Sequence, residues 1–189
     1  MAMAEKGITA EIVKVDLMGA ENRQAGYIAK VPTGGLPALE LDDGSVIAEI
    51  TVIAEYLEDL QPNPPIIGTT AAERAETRMW VRRIDLGIVE PMANGFRAAE
   101  GRQLFTSRMT LVSPAAAAEL KAIAQEKLMW LDKLMQGRTW VCGDRFSLAD
   151  MILLAFVEFG TSVGQPMPAD ATWLPEWHKR AAARPSAAA

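Results

Sequence analysis

The chain has 189 residues, half of them hydrophobic, and a formal net charge of −5; at roughly 150 residues per domain this allows one large or two small domains with a sizeable core. The mild acidity and the lack of any block of Lys or Arg speak against a nucleic-acid surface. One cysteine, Cys142, and one histidine, His178, exclude a disulfide framework and a Cys/His zinc site; the cysteine count fits a reducing cytoplasm, and no metal is expected.

The opening MAMAEKGI lacks the basic-then-apolar pattern of a signal peptide, and no apolar run along the chain approaches membrane-spanning length. EIVKVDL (11–17) alternates as a strand does, and RQAGYIA (23–29) reads as a short helix. PALEL (37–41) and SVIAE (45–49) read as two strands joined by the turn signal Asp42-Asp43-Gly44. Ile50, Ile53, Leu57 and Leu60 then recur at helical spacing. QPNPPIIGTT (61–70) holds three prolines within four residues and makes a stiff connector. The expected division is therefore an α/β unit at 1–61, a linker at 62–70 and an all-helical unit at 71–189.

Beyond the connector, residues 71–96 form a helical pattern with Met79, Ile84, Leu86 and Ile88 among charges; Pro91 is expected to kink or end it. Residues 114–135 give the clearest amphipathic helix, with the stripe Leu120, Ile123, Ala124, Leu128, Leu131, Leu134 and with Gly137 to close it. MILLAFVEFG (151–160) is apolar nearly all round and predicts the buried central helix of a bundle. WLPEWHKRAAA gives a last short helix, and the tail ARPSAAA is expected to fray.

The strongest local signal is Ser147-Leu148-Ala149-Asp150. A Ser cap with Asp three residues on is a capping box, flanked by a Phe146–Met151 hydrophobic staple, and contributes about 1 kcal/mol. A buried helix needs such a cap because water cannot reach its first N–H groups, so Ser147 and Asp150 are read as structural rather than catalytic. Cys142 has only Arg145 nearby to lower its pKa and reads as a buried structural thiol. His178 lies in a polar segment and reads as a surface residue; the many methionines are expected in the core.

Taken together, the α/β region, the proline connector and the helical region with GDRFSLAD resemble the cytosolic glutathione transferases, a bacterial class in particular. VPTGGLPALELDDGSVIAEITVIAEYLED (31–59) is similar to their glutathione-binding half, and the closing Trp177…Arg184-Pro185-Ser186 is also typical. The resemblance implies a thioredoxin-like N-terminal domain, an all-α C-terminal bundle, glutathione as co-substrate and a homodimer. It implies a cis bond at Pro37 and pairing of the Leu36 backbone with the cysteinyl part of glutathione, like an added strand. Glu49 would hold the γ-glutamyl amino group. The next position, at a helix N-terminus suited to an anion, is usually a Ser that binds the γ-glutamyl carboxylate. Here it is Ile50, which cannot donate from its side chain; Thr51 or the helix N–H groups would have to serve. Trp80, Arg83, Asn94, Phe96 and Arg97 lie in the segment that would line the site for a hydrophobic electrophile, although Trp80 as core and the arginines as solvated are the simpler readings.

Family members open with a strand, and the Ser, Tyr or Cys that acts on the glutathione sulfur sits in that segment. MAMAEKGI resembles the end of the helix that follows, with Gly7 as its cap. The resemblance thus places the catalytic residue before residue 1, with the first strand and most of the first helix missing, and no residue here is assigned that role. The strand at 11–17 would then lack its neighbour, and it is expected to be displaced, poorly ordered or paired unusually. Two functions follow: a transferase conjugating the glutathione thiolate to a hydrophobic electrophile, or a non-catalytic binding or structural module of the same fold. A glutathione-dependent reductase or lyase is a third, weaker reading.

Overall fold

The Asp-Asp-Gly signal does build a hairpin. In the computed structural model, which describes residues 1–188, β1 (Ala38–Glu40) pairs antiparallel with β2 (Val46–Ala48), with Ala38 opposite Ala48 and Leu39 opposite Ile47. Gly44 takes φ +80° in the turn, where a side chain would be strained. Asp43 Oδ1 accepts from the Ser45 hydroxyl at 2.6 Å and from its N–H at 2.9 Å, and these bonds hold Asp43 below the ordinary carboxylate range.

The hairpin belongs to the first of two compact units, Met1–Ile66 and Ile67–Ala189. In the first unit, α1 (Ala2–Lys6) ends on Gly7 at φ +63°, α2 (Ala25–Lys30) precedes the hairpin, and α3 (Ile50–Leu60) leaves β2 directly. Helix α3 turns Ala54, Leu57 and Glu58 inward. The buried Glu58 forms an ion pair with the equally buried Lys6 of α1. Lys6 Nζ also donates to the carbonyls of Gln61 and Pro64, each at 2.8 Å, and Glu58 Oε2 accepts from the Ile66 N–H at 3.0 Å. Residues 61–66 are therefore fastened to two helices by charged groups.

The strand expected at 11–17 does not form. This stretch has no regular structure, and Ile12 and Val13 are each about three-quarters exposed. A strand is defined by its ladder, and the sheet of the described residues has only β1 and β2. Alternation alone makes no strand without a ladder partner, and the expected displacement of this segment matches its irregular backbone.

The second unit is helical. Helix α4 (Ala71–Ile84) starts on a capping box: Thr70 Oγ1 accepts from the Glu73 N–H at 3.2 Å, and Glu73 Oε2 accepts from the Thr70 N–H at 3.1 Å. The same oxygen accepts from the Thr69 N–H and hydroxyl, both at 2.8 Å. These bonds, the Thr69 N–H foremost, lower the Glu73 pKa to about 2. A carboxyl depressed in the folded state stabilises above its unfolded pKa and loses that contribution as pH falls. The expected result is a steeper acid-side fall in melting temperature for the parent than for Glu73→Gln between pH 4.5 and pH 2. Coincident profiles in a pH series of thermal melts would show that the cap carries no such linkage.

Pro91 neither ends the helix nor breaks it. A π-helical turn, Asp85–Val89, widens the backbone, and α5 (Glu90–Ala98) continues directly with Pro91 in its first turn. Proline cannot donate to the carbonyl one turn back, and a wide turn just before it absorbs that loss.

A short α6 (Arg102–Phe105) precedes α7 (Pro114–Leu134), whose cap is Ser113 Oγ accepting from the Ala116 N–H at 3.2 Å. Helix α7 packs on α5. Its buried line is Ala117, Ala124, Leu128 and Leu131, continued by Met135; Ile123 and Leu134, expected in the stripe, are nearly half exposed. Small alanines let the two helices approach, so the buried face is narrower than the apolar one. Met92, Met135 and Met151 are in the core, whereas Met18, Met79 and Met109 are not.

Helix α8 (Leu148–Ser162) packs on α4 and on α9 (Trp173–Ala182) and buries Leu148 to Leu154 almost entirely; of the run 151–160 expected to be buried all round, Ala155 and Glu158 are exposed and Phe156 and Phe159 half-buried. Asp132 of α7, 2 % exposed, accepts the N–H groups of Thr172, Trp173 and Leu174 on Oδ1 at 2.8–3.0 Å. A residue 40 positions away in sequence thus caps α9. The tail does not fray at once: Pro185–Ala188 makes a further helical turn with Ser186 buried.

Candidate functional site

The hairpin register brings the two halves of LPALELDDGSVIAEI to one end. Because Ala38 faces Ala48, Pro37 and Glu49 flank the last rung of the ladder. The Leu36–Pro37 bond is cis. Leu36 is 43 % exposed, and neither its N–H nor its C=O has a hydrogen-bond partner among the described residues. A free donor and acceptor on one exposed residue are what a peptide-like ligand pairs with.

Glu49 closes the other side. It is exposed and sits at φ +71°, a backbone region that costs a non-glycine residue about 1–3 kcal/mol and concentrates at functional sites. Its carboxylate has no partner among the described residues. Glu49 is also the N-cap of α3, but its side chain does not cap the helix. The first bond into the helix runs from the Ile53 N–H to the Glu49 carbonyl, leaving the Thr51 and Val52 N–H groups open beside the Thr51 hydroxyl. Ile50 is 40 % exposed. Leu36, Pro37, Glu49, Ile50 and Thr51 therefore share one end of the hairpin.

Sequence reasoning passed over the segment that supports this end. The carbonyls of Thr33, Gly34 and Gly35 accept from Arg23 Nη1 at 3.2 Å, Asn22 Nδ2 at 2.7 Å and Tyr27 Oη at 2.7 Å, respectively. Partial burial pushes the Tyr27 phenol above its ordinary pKa, so it remains a donor at neutral pH. The run Thr-Gly-Gly before an apolar strand was the available signal, since such backbone needs donors from elsewhere.

The five residues of the expected electrophile site fall into two sets. Trp80 is 4 % exposed and packs on Trp130 at 6.4 Å between ring centroids, with the Arg83 guanidinium 4.8 Å above it. Along α5, Glu90 Oε2 accepts from Asn94, and Asn94 Oδ1 accepts from Arg97 at 3.0 Å. Phe96 meets Phe105 and Phe159 edge-on at 6.1 and 5.3 Å. The geometry thus gives Trp80 to the α4–α7 core and groups Asn94, Phe96 and Arg97 on α5. A hollow of about 480 Å³ lies beside α6, lined by Arg102, Thr106, Ser107, Met109, Thr110 and Leu111; it includes none of these five.

Asp150 is fully buried and receives four bonds: from the Val141 N–H, the Ser147 N–H, the Ser147 hydroxyl and Trp177 Nε1, all at 2.9–3.1 Å. Burial raises its pKa against the pull of these donors. Phe146 packs edge-on against Trp140, and the Arg184 guanidinium lies 3.9 Å from the Phe146 ring. Cys142 lies between the Thr77 and Ser147 hydroxyls, and burial pushes its thiol up, away from the nucleophilic form. These are the groups of a structural core.

A hairpin flanked by helices and followed by a helical unit is the architecture of a thioredoxin-like domain joined to an all-α domain. Residues 1–60 match the model of the glutathione S-transferase N-terminal domain, and residues 104–185 that of the C-terminal domain. A crystal structure of a glutathione S-transferase domain-containing protein from Marinobacter aquaeolei superposes with a TM-score of 0.91 at 34 % identity, covering 98 % of this chain and 91 % of that one. Gtt2 from Saccharomyces cerevisiae gives the same TM-score at 31 % identity, covering 98 % and 89 %. Glutathione S-transferase 2 of Saccharomyces cerevisiae is 28 % identical over 200 residues, covering 98 % of this chain and 80 % of its own length. The chain belongs to the glutathione S-transferase family.

Proposed function

We propose that the chain binds glutathione at the open end of the hairpin and serves its transfer to a small hydrophobic electrophile in the cytoplasm, as a homodimer. The unpaired Leu36 backbone beside the unpartnered Glu49 carboxylate carries this reading. The cysteinyl N–H and C=O pair with Leu36, the γ-glutamyl ammonium meets Glu49, and the γ-glutamyl carboxylate takes the open N–H groups and the Thr51 hydroxyl at the start of α3. Such positioning turns the encounter of thiolate and electrophile into a reaction within one complex; the thiolate is the nucleophile. Asn94, Phe96 and Arg97 on α5 are the proposed contacts for the electrophile; the buried Trp80, with the Arg83 guanidinium stacked on its ring, is left to the core.

One observation favours a second reading, a binding module without catalysis: Ile50 stands where the family's hydroxyl donor is expected. Calorimetric titration separates the cases. Glutathione is expected to bind, Glu49→Ala to weaken it about 10-fold or more through loss of a charged hydrogen bond, and Ile50→Ser to tighten it about 2- to 10-fold by one added bond. Absence of binding by the parent at 10 mM glutathione, about 2.7 kcal/mol of binding energy by the standard relation, sinks the proposal. Binding without turnover of any electrophile in a panel supports the module.

A further inference from the structure

The three carbonyls that lead into Leu36 are all held by side chains of residues 22–27. Two of their amides are occupied as well: the Gly34 N–H donates to the Val31 carbonyl at 2.8 Å, and the Gly35 N–H to Thr33 Oγ1 at 3.3 Å. The pattern stops at Leu36, the first residue whose N–H and C=O are both free. Asn22 is 3 % exposed, and its Oδ1 has no partner. Keeping a buried amide with one end unsatisfied is costly, so it is retained for the end that donates. The two segments also need glycine where they meet: Gly34 is at φ +66°, and a Cβ there would stand 2.9 Å from the Asn22 carbonyl and 3.0 Å from Arg23 Nη1.

We infer that Asn22, Arg23 and Tyr27 are positioning residues that hold the backbone of 33–35 so that Leu36 is presented, preformed, to the peptide part of the ligand. The inference rests on glutathione binding at Leu36. A backbone edge fixed before binding has less ordering entropy to lose when the ligand arrives. The three donors act through Leu36, so their effect falls on the contact to the cysteinyl backbone and not on the sulfur.

The test uses Tyr27→Phe, which removes one hydroxyl from a half-buried ring, and Asn22→Asp, which sets an acceptor against the Gly34 carbonyl. Dissociation constants for glutathione and S-methylglutathione are measured calorimetrically, well below each variant's melting temperature. Parent binding is established first; its failure would overturn the underlying site, not the positioning role alone. Given parent binding, each variant is expected to weaken both ligands equally, by about 3- to 10-fold for Tyr27→Phe, and to speed amide exchange at Gly34 and Gly35, whose N–H groups are bonded. Should Asn22→Asp fail to fold, Tyr27→Phe decides. Unchanged dissociation constants with a lowered melting temperature would mean that these residues only stabilise the fold. Loss for glutathione but not for S-methylglutathione would place the effect at the sulfur and overturn the inference.

Discussion

Asp150→Ala is expected to leave the helical unit barely folded. Three buried N–H donors, on Val141, Ser147 and the Trp177 ring, lose their acceptor together. Each orphaned buried donor costs about 1–3 kcal/mol, so the loss is roughly 3–9 kcal/mol, against about 5–15 kcal/mol for a whole domain. The effect is large because one carboxylate joins the loop before α8, the first turn of α8 and the ring of α9. Asp150→Asn keeps one acceptor oxygen but turns an NH₂ toward some of the same donors, and it should fall between parent and alanine. Urea unfolding followed by tryptophan fluorescence reads this directly, since Trp177 is a partner. A midpoint for Asp150→Ala within error of the parent would remove the argument.

The second large effect is expected at the Lys6–Glu58 pair. Both ends are buried, so removing either partner leaves an uncompensated charge, and such changes cost about 3–5 kcal/mol. Lys6→Met and Glu58→Leu should each destabilise the first unit by that order. The double variant should cost less than the sum, because two desolvated charges leave together. It should still fall short of the parent, because the Gln61 and Pro64 carbonyls and the Ile66 N–H lose their partners. A double-mutant cycle with strictly additive losses would show that the two charges do not sense each other.

Local chemistry made much of this fold legible. The Asp-Gly turn, the all-round apolar run of α8, and Asp150 as a cap partner follow from spacing and residue type alone. What spacing missed has a common cause: partners distant in sequence. The 11–17 segment alternates like a strand, but alternation does not provide a ladder. Pro91, expected to kink or end its helix, is a local exception: it follows a π-helical turn and sits in the first turn of α5. Nothing near Asp132 in sequence announces a cap for residues 172–174. At the proposed site, Pro37 and Glu49 were singled out by the resemblance to glutathione transferases, and the hairpin register sets them at one end. Asn22, Arg23 and Tyr27 were not, because what they bond is backbone, which leaves no mark on residue identity.

The two buried carboxylates of the helical unit share one more property. Asp132 takes its three backbone donors from Thr172–Leu174, and Asp150 takes one of its donors from Trp177. During synthesis, both are made well before the groups that satisfy them. Until the segment around residue 177 leaves the ribosome, each carboxylate must stay hydrated, and the packed core around α7 and α8 cannot close over it. The interior of the helical unit thus becomes dry only once the segment 172–177 has docked on both carboxylates.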